Sequence, residues 1–362
     1  MRFTRVVGVL LGAVPLVASL AFVPSGAQAR TTDPDAQRVP AALAVEGPGG
    51  RAVTTKRVCE PSPGRAACTA LLRTDLAGVA SLPTSRKPAG LSPADIRSAY
   101  KLPRSGGKWR FGGKGRTVAI INAFNYPTAE ADLAVYRKTF HLPPCTTANG
   151  CFRKINQNGG STPPPTTDPD WALESAIDIQ AVSAACSGCN ILLVEAQNDM
   201  IGALLTAVQQ ARLQGAKFIS MSWTDGENSV QPILDQTYFN HPGIAFVAAS
   251  GDLGGVVQWP AVSQYVTAAG GTRLNLVRAP AGSPQASRHR WYETAWFGSG
   301  SGCSQFQPKP PWQTDPLCPR RTSADVSAVA DPATGLAIYT TTTTSTGETG
   351  GSWSAAPATS PR

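Results

Sequence analysis

Residues 190–223 read NILLVEAQNDMIGALLTAVQQARLQGAKFISMSW, and the alternation inside this stretch decides the fold. Asn190–Ala196 is a short apolar run that suits a strand buried on both faces, and residues 201–214 then take up helical spacing until Gly215 closes the turn. Residues 216–223 return to a strand. Two strands joined in this way lie parallel, because the chain must cross back over the sheet as a helix before it pairs again.

The same punctuation extends in both directions. Upstream, residues 116–124 (RTVAIINAF) read as a buried strand, and residues 128–140 as a helix capped by Thr128 with Glu130 and Asp132 in its first turn. Residues 171–185 form a second helix, and Ser92-Pro93-Ala94-Asp95 opens a short one with proline at its first position. Downstream, residues 231–239 are helical and residues 243–250 (GIAFVAAS) are another buried strand. The fold class is therefore α/β, a mostly parallel central sheet with helices on both faces, and ligands are expected beyond the carboxyl ends of its strands.

Outside this domain, residues 1–29 combine Arg2 and Arg5, an apolar run over residues 6–23, and Ala27-Gln28-Ala29, the pattern of a secretory signal peptide. A secreted, extracellular protein is expected, and no later segment is long and apolar enough to span a membrane. Residues 30–91, rich in Ala, Pro, Gly and Arg, read as a short prosegment or linker pinned by Cys59 and Cys68. Eight cysteines fall into four close pairs, Cys59/Cys68, Cys145/Cys151, Cys186/Cys189 and Cys303/Cys318, as local disulfides in an exported protein do. Cys186-Ser187-Gly188-Cys189 also has the spacing of half a zinc site or a redox motif, but there are three histidines in all and no second such pair. The formal charge of +9 comes from basic residues scattered along the chain rather than clustered with aromatics, which argues against a nucleic-acid partner.

Three acids could carry chemistry. Glu174 and Asp178, at i and i+4, leave the same helix face, where each raises the other's proton affinity and one can serve as a general base oriented by its partner. A lone pair of this kind usually marks a solvated face, yet Trp171, Leu173, Ala176, Ile177, Ile179 and Val182 make this helix largely apolar, and charge on a buried helix needs a reason. Asp252 follows the strand over 243–250 in the glycine-rich turn Ser250-Gly251-Asp252-Leu253-Gly254-Gly255, at the carboxyl end of a sheet strand.

Taken in order, these segments resemble the sedolisin family of serine-carboxyl peptidases, which look like subtilisins with the histidine base replaced by glutamate. The carriers are Ala99-Tyr100-Lys101-Leu102-Pro103, Glu174 and Asp178, Ser220-Met221-Ser222-Trp223, Ser250-Gly251-Asp252, and residues 265–272 (YVTAAGGT), with Ala324-Asp325-Val326-Ser327 further on. The resemblance spans residues 92–339 and implies a subtilisin-like three-layer sandwich. It further implies polypeptide substrates, Glu174 as general base, Asp178 as its orienter, and a protonated Asp252 as oxyanion-hole donor, all working in acid. Leu253 stands where the family usually has serine, and Thr224-Asp225 where it usually has two glycines. A non-catalytic peptide-binding protein on the same scaffold is the rival reading.

The family sets its nucleophile in Gly-Thr-Ser-x-x-x-Pro, followed by a calcium site, whereas residues 350–357 here read GGSWSAAP. Aligned on Pro357, Trp353 stands at the serine position, flanked by Ser352 and Ser354 in what reads as an aberrant, frayed tail over 340–362. Reading from the third base of the Trp353 codon, suitable synonymous codons spell Val-Gly-Gly-Thr-Ser-His-Val-Ala-Pro. A frameshift near Tyr339 is therefore expected to have replaced the catalytic serine, and with it the family's calcium clamp, so that no cofactor is expected in this chain.

Overall fold

Residues 42–46, 52–73, 88, 90–102, 112–277, 290–343 and 349–356 are described by the structure, a computed structural model of the chain. The expected signal peptide lies outside the described residues. Four short strands come first, β1 (Ala42–Glu46), β2 (Ala52–Arg57), β3 (Ala67–Cys68) and β4 (Leu71–Arg73), in the stretch read from composition as a linker. A short helix, α1 (Pro93–Ala99), follows, with Ser92 and Asp95 forming a reciprocal capping box.

The sheet-and-helix alternation then unfolds as β5 (Thr117–Ala123), α2 (Ala129–Thr139), β6 (Phe152–Asn156), α3 (Pro169–Ala185), β7 (Asn190–Ala196) and α4 (Ile201–Leu213). It continues through β8 (Phe218–Met221), β9 (Trp223–Gly226), α5 (Gln231–Tyr238), β10 (Ala245–Ala249), β11 (Gln258–Trp259) and β12 (Val266–Val277). The remaining strands are β13 (Arg290–Ala295), β14 (Gly302–Pro308), β15 (Arg320–Ser323), β16 (Val326–Val329), β17 (Leu336–Thr343) and β18 (Thr349–Ala356).

The central sheet runs β13-β12-β10-β8-β5-β7-β6, with β16 branching from β12. Every neighbour pair in it is parallel except β12 with β13. Both α3 and α4 pack on β5 and β7, and β7 is buried at every residue from Ile191 to Ala196, so helices cover both faces as a parallel sheet requires. Ile120, Leu193, Val194, Ile219, Met221, Phe246 and Ala268 form the centre of one continuous apolar core. Each large aliphatic side chain buried there contributes about 1.5–3 kcal/mol relative to exposure.

Three sequence expectations need correcting. Thr128 makes no capping bond to the first turn of α2; its hydroxyl donates instead to Asp132 (2.8 Å), a buried carboxylate that also takes the Tyr126 hydroxyl at 2.5 Å. The strand expected over 216–223 breaks at Ser222, after which β9 leaves the central sheet for a small one ordered β11-β9-β3. The tail read as frayed pairs as a hairpin: β18 lies antiparallel on β17, with Ser352 opposite Thr340, Trp353 opposite Tyr339 and Ser354 opposite Ile338. All four close cysteine pairs are bonded, Cys186 with Cys189 among them. No helix among the described residues is long and apolar enough to cross a membrane.

Candidate active site

Asp168 begins the site by ending the preceding loop. Its carboxylate accepts from the amides of Asp170 and Trp171 (3.0 Å each), so α3 starts two residues earlier than the apolar pattern suggests, with Pro169 in its first turn. From Glu174 to Ala184 every residue of α3 is buried, which removes the solvated-face reading of its two acids. Glu174 and Asp178 are both fully buried.

Asp178 is held at both oxygens. Ser222, at the break between β8 and β9, donates its hydroxyl to Oδ1 (2.7 Å), and Asn122 on β5 donates Nδ2 to Oδ2 (2.9 Å) while also reaching Ser175 (3.1 Å). Neither carboxyl oxygen of Glu174, by contrast, has a hydrogen-bond partner of ordinary geometry. Burial pushes the Glu174 carboxyl well above the usual glutamate range, and the neighbouring Asp178 pushes it further in the same direction. The Thr69 amide works against that rise, and the charge of Asp252 adds to it, so Glu174 feels both of the other acids foreseen from sequence.

Asp252 sits three residues past Ala249, where β10 ends. Gly251 turns the chain there with φ +103°, and Gly300 passes so close that its amide donates to the Gly251 carbonyl at 2.8 Å. A methyl on Gly300 would lie 2.0 Å from the Ser250 carbonyl oxygen. Gly300→Ala is therefore expected to destabilise the fold by roughly 1–3 kcal/mol, read as a lower urea midpoint, and to shift the turn that carries Asp252.

Burial raises the Asp252 carboxyl above the usual aspartate range, against the pull of Arg57. Arg57 belongs to β2, and its Nη1 donates to Asp252 Oδ1 at 2.5 Å while Nη2 reaches the Asp252 carbonyl at 3.4 Å. The second carboxyl oxygen, Oδ2, has no partner. Sequence reasoning missed Arg57, Asn122 and Ser222: Asn122 lies in a strand read only as core, Ser222 in a segment quoted only for the family resemblance, and Arg57 lies 195 residues from its partner. Among the described residues, no three His, Cys, Asp or Glu side chains gather as a metal ion would need.

Residues 171–360, more than half of the chain, match the profile of the subtilase family. Kumamolisin from Bacillus sp. (strain MN-32) is 28% identical over 288 residues, which cover 70% of this chain and 48% of kumamolisin, so the chain spans about half the length of that relative. Among solved structures, Pseudomonas sedolisin, a serine-carboxyl proteinase complexed with two molecules of pseudo-iodotyrostatin, superposes with a TM-score of 0.57 at 22% identity, covering 76% of this chain and 77% of sedolisin. The likeness in fold, the matched segment and the kumamolisin similarity together place the chain in the subtilase family, as a sedolisin-like member.

Proposed function

We propose that this protein carries the acid half of a serine-carboxyl peptidase site for extracellular polypeptides, and that Trp353 at the nucleophile position leaves the sequence as it stands unable to cut them. The observation that carries the reading is Glu174: a fully buried carboxyl held well above the usual range, first by burial and then by Asp178, whose own two oxygens accept from Asn122 and Ser222. A dry carboxyl of raised proton affinity suits a base that takes a hydroxyl proton, and a neighbour fixed by neutral donors suits an orienter.

Asp252 completes the set. Its carboxyl is also raised by burial, and one of its oxygens is free. Protonated, it donates a hydrogen bond to the oxyanion of a tetrahedral intermediate; ionised, it would repel that charge. The chemistry therefore belongs to acid conditions. The four disulfides suit an oxidising, extracellular setting.

The purified chain is expected to show no acid-dependent peptide hydrolysis and no labelling by a serine-directed organophosphonate. Hydrolysis abolished by Glu174→Gln would overturn the assignment of Trp353. The nucleotide sequence across residues 339–362 supplies the companion test. If the shifted frame spells Gly-Thr-Ser, the protein read in that frame is expected to cleave peptides in acid and to lose at least about a hundredfold in kcat on Glu174→Gln or Asp252→Ala. Inertness of that protein would sink the peptidase reading itself.

A further inference from the structure

Asp235 is a buried acid that the chemistry of Glu174, Asp178 and Asp252 does not use. It lies on α5, 1% exposed, and its Oδ1 accepts the indole N–H of Trp259 at 2.8 Å. Trp259 is itself buried, with the rings of Trp223 and Phe239 centred 5.8 and 5.7 Å from its own. The carboxyl therefore fixes the polar tip of a side chain whose body is wedged among aromatic rings.

Trp259 leads to both halves of the acid site. It packs on Trp223, and Trp223 follows Ser222, the donor to Asp178 Oδ1. Gln258 precedes it on β11, where Nε2 donates to the Thr224 hydroxyl at 3.0 Å. The same amide lies so close to Gly251 that a methyl there would stand 1.9 Å from Oε1, and Gly251 is the residue before Asp252. A displacement of Trp259 thus reaches Ser222 through Trp223 and Asp252 through Gln258, because close-packed interiors transmit strain.

We propose that Asp235 is a positioning residue for the acid site, acting through Trp259 and Gln258 on the turn that carries Asp252 and through Trp223 on the serine that holds Asp178. This rests on the reading of those acids as a peptidase site. What Asp235 does to the indole depends on its charge. Burial pushes its carboxyl up to about 6, while hydrogen bonding from Trp259, Ser263 and Gln307 pulls the other way. The charged groups on the elements around it are Arg212 on α4, Asp225 on β9, Glu227 just beyond β9 and Arg321 on β15. Among the described residues none of them bonds to Asp235: Asp225 accepts from the Gly226 amide, Glu227 from Ser304 and Gln305, and Arg321 is paired with Asp325. In acid the indole therefore meets a neutral acceptor. Above about 6 it meets a carboxylate, whose charge-assisted bond is roughly twice as strong and draws Trp259 toward α5. The unfolded carboxyl ionises near 3.8, so this group costs the fold stability as pH rises from there to about 6, and the loss stays constant above that.

The test follows assigned N–H resonances of the isotopically labelled full chain by NMR from acid to mildly alkaline pH. The Trp259 indole and the amides of Ser222, Gly251 and Asp252 are each expected to show a step with its midpoint near 6. Asp235→Asn, which mimics the neutral acid, is expected to abolish that step at all four. Its folding constant relative to wild type should also gain about ten- to a hundredfold between acid and neutral pH. Trp259→Phe keeps a ring but loses the N–H, and there the step is expected to survive at the Asp235 amide and to vanish at Ser222, Gly251 and Asp252. Should Asp235→Asn not fold, the wild-type titration and Trp259→Phe decide between them. A step confined to the Trp259 indole, or one that persists at Gly251 and Asp252 in either variant, overturns the proposal. No readout needs a nucleophile, so the role of Asp235 stands or falls on these titrations, whereas the peptidase reading stands or falls on hydrolysis by the shifted-frame protein.

Discussion

Arg57→Met is expected to lower stability at neutral pH by about 3–5 kcal/mol, the range for a buried ion pair stripped of one partner. The reason is Asp252 rather than Arg57. Methionine fills much of the arginine's volume, but it leaves a buried carboxylate with no counter-charge and with both oxygens unpaired, since Oδ2 lacks a partner already. Asp252 sits above the usual aspartate range because desolvation outweighs the arginine, and removing the arginine drives it higher still. The sign follows from linkage. In the unfolded chain Asp252 ionises near 3.8, whereas the folded variant keeps its proton to higher pH, so the variant loses stability as pH rises above that value. Below it the carboxyl is neutral in both states, and the difference between variant and wild type shrinks to the change in packing. Urea unfolding at several pH values reads this directly. Asp252→Asn added to Arg57→Met is expected to recover part of the loss, because an amide needs no counter-charge; additive losses would show that the two side chains do not interact.

The contrast between Asp178 and Arg57 shows what local pattern can and cannot carry. Glu174 and Asp178 were legible because an i, i+4 pair on an otherwise apolar helix is an anomaly confined to five residues, and burial makes the anomaly real. Asp252 was legible because a strand running into a glycine-rich turn ends where open α/β sheets place their sites. Arg57 left no such mark: it lies in a stretch of Ala, Pro, Gly and Arg, its strand pairs only with near neighbours in sequence, and the carboxylate it holds lies 195 residues away. Thr128 failed as a cap for a related reason. Its local signal was correct in type, but the buried Asp132 carboxylate gathers Tyr126, Thr128 and the Thr341 amide, and that long-range demand outweighs a single capping bond. The antiparallel pairing of β18 on β17 is likewise something that a run of threonines does not announce.

Glu174→Gln is expected to raise the melting temperature as pH climbs, and to make no difference in acid. Glu174 is fully buried, its oxygens lack partners, and its carboxyl is held well above the usual range by burial first and by Asp178 second. Below about 4.5 the unfolded carboxyl is protonated, as the folded one is, and the wild type pays nothing for it. As pH rises past that point the unfolded chain sheds the proton while the folded chain retains it, so the wild type loses stability until the folded carboxyl finally ionises. Glutamine has the same shape and no proton to lose, and it can donate an N–H toward Asp178, relieving the repulsion between the two acids. The difference at high pH should reach about 1–3 kcal/mol, the cost of an unsatisfied buried polar group, and should show as a gap between two calorimetric Tm curves that opens with pH. Parallel curves would mean that Glu174 titrates as an exposed glutamate does. Such a carboxyl has no elevated proton affinity with which to take a serine proton in acid, and the base role assigned to Glu174 would go with it.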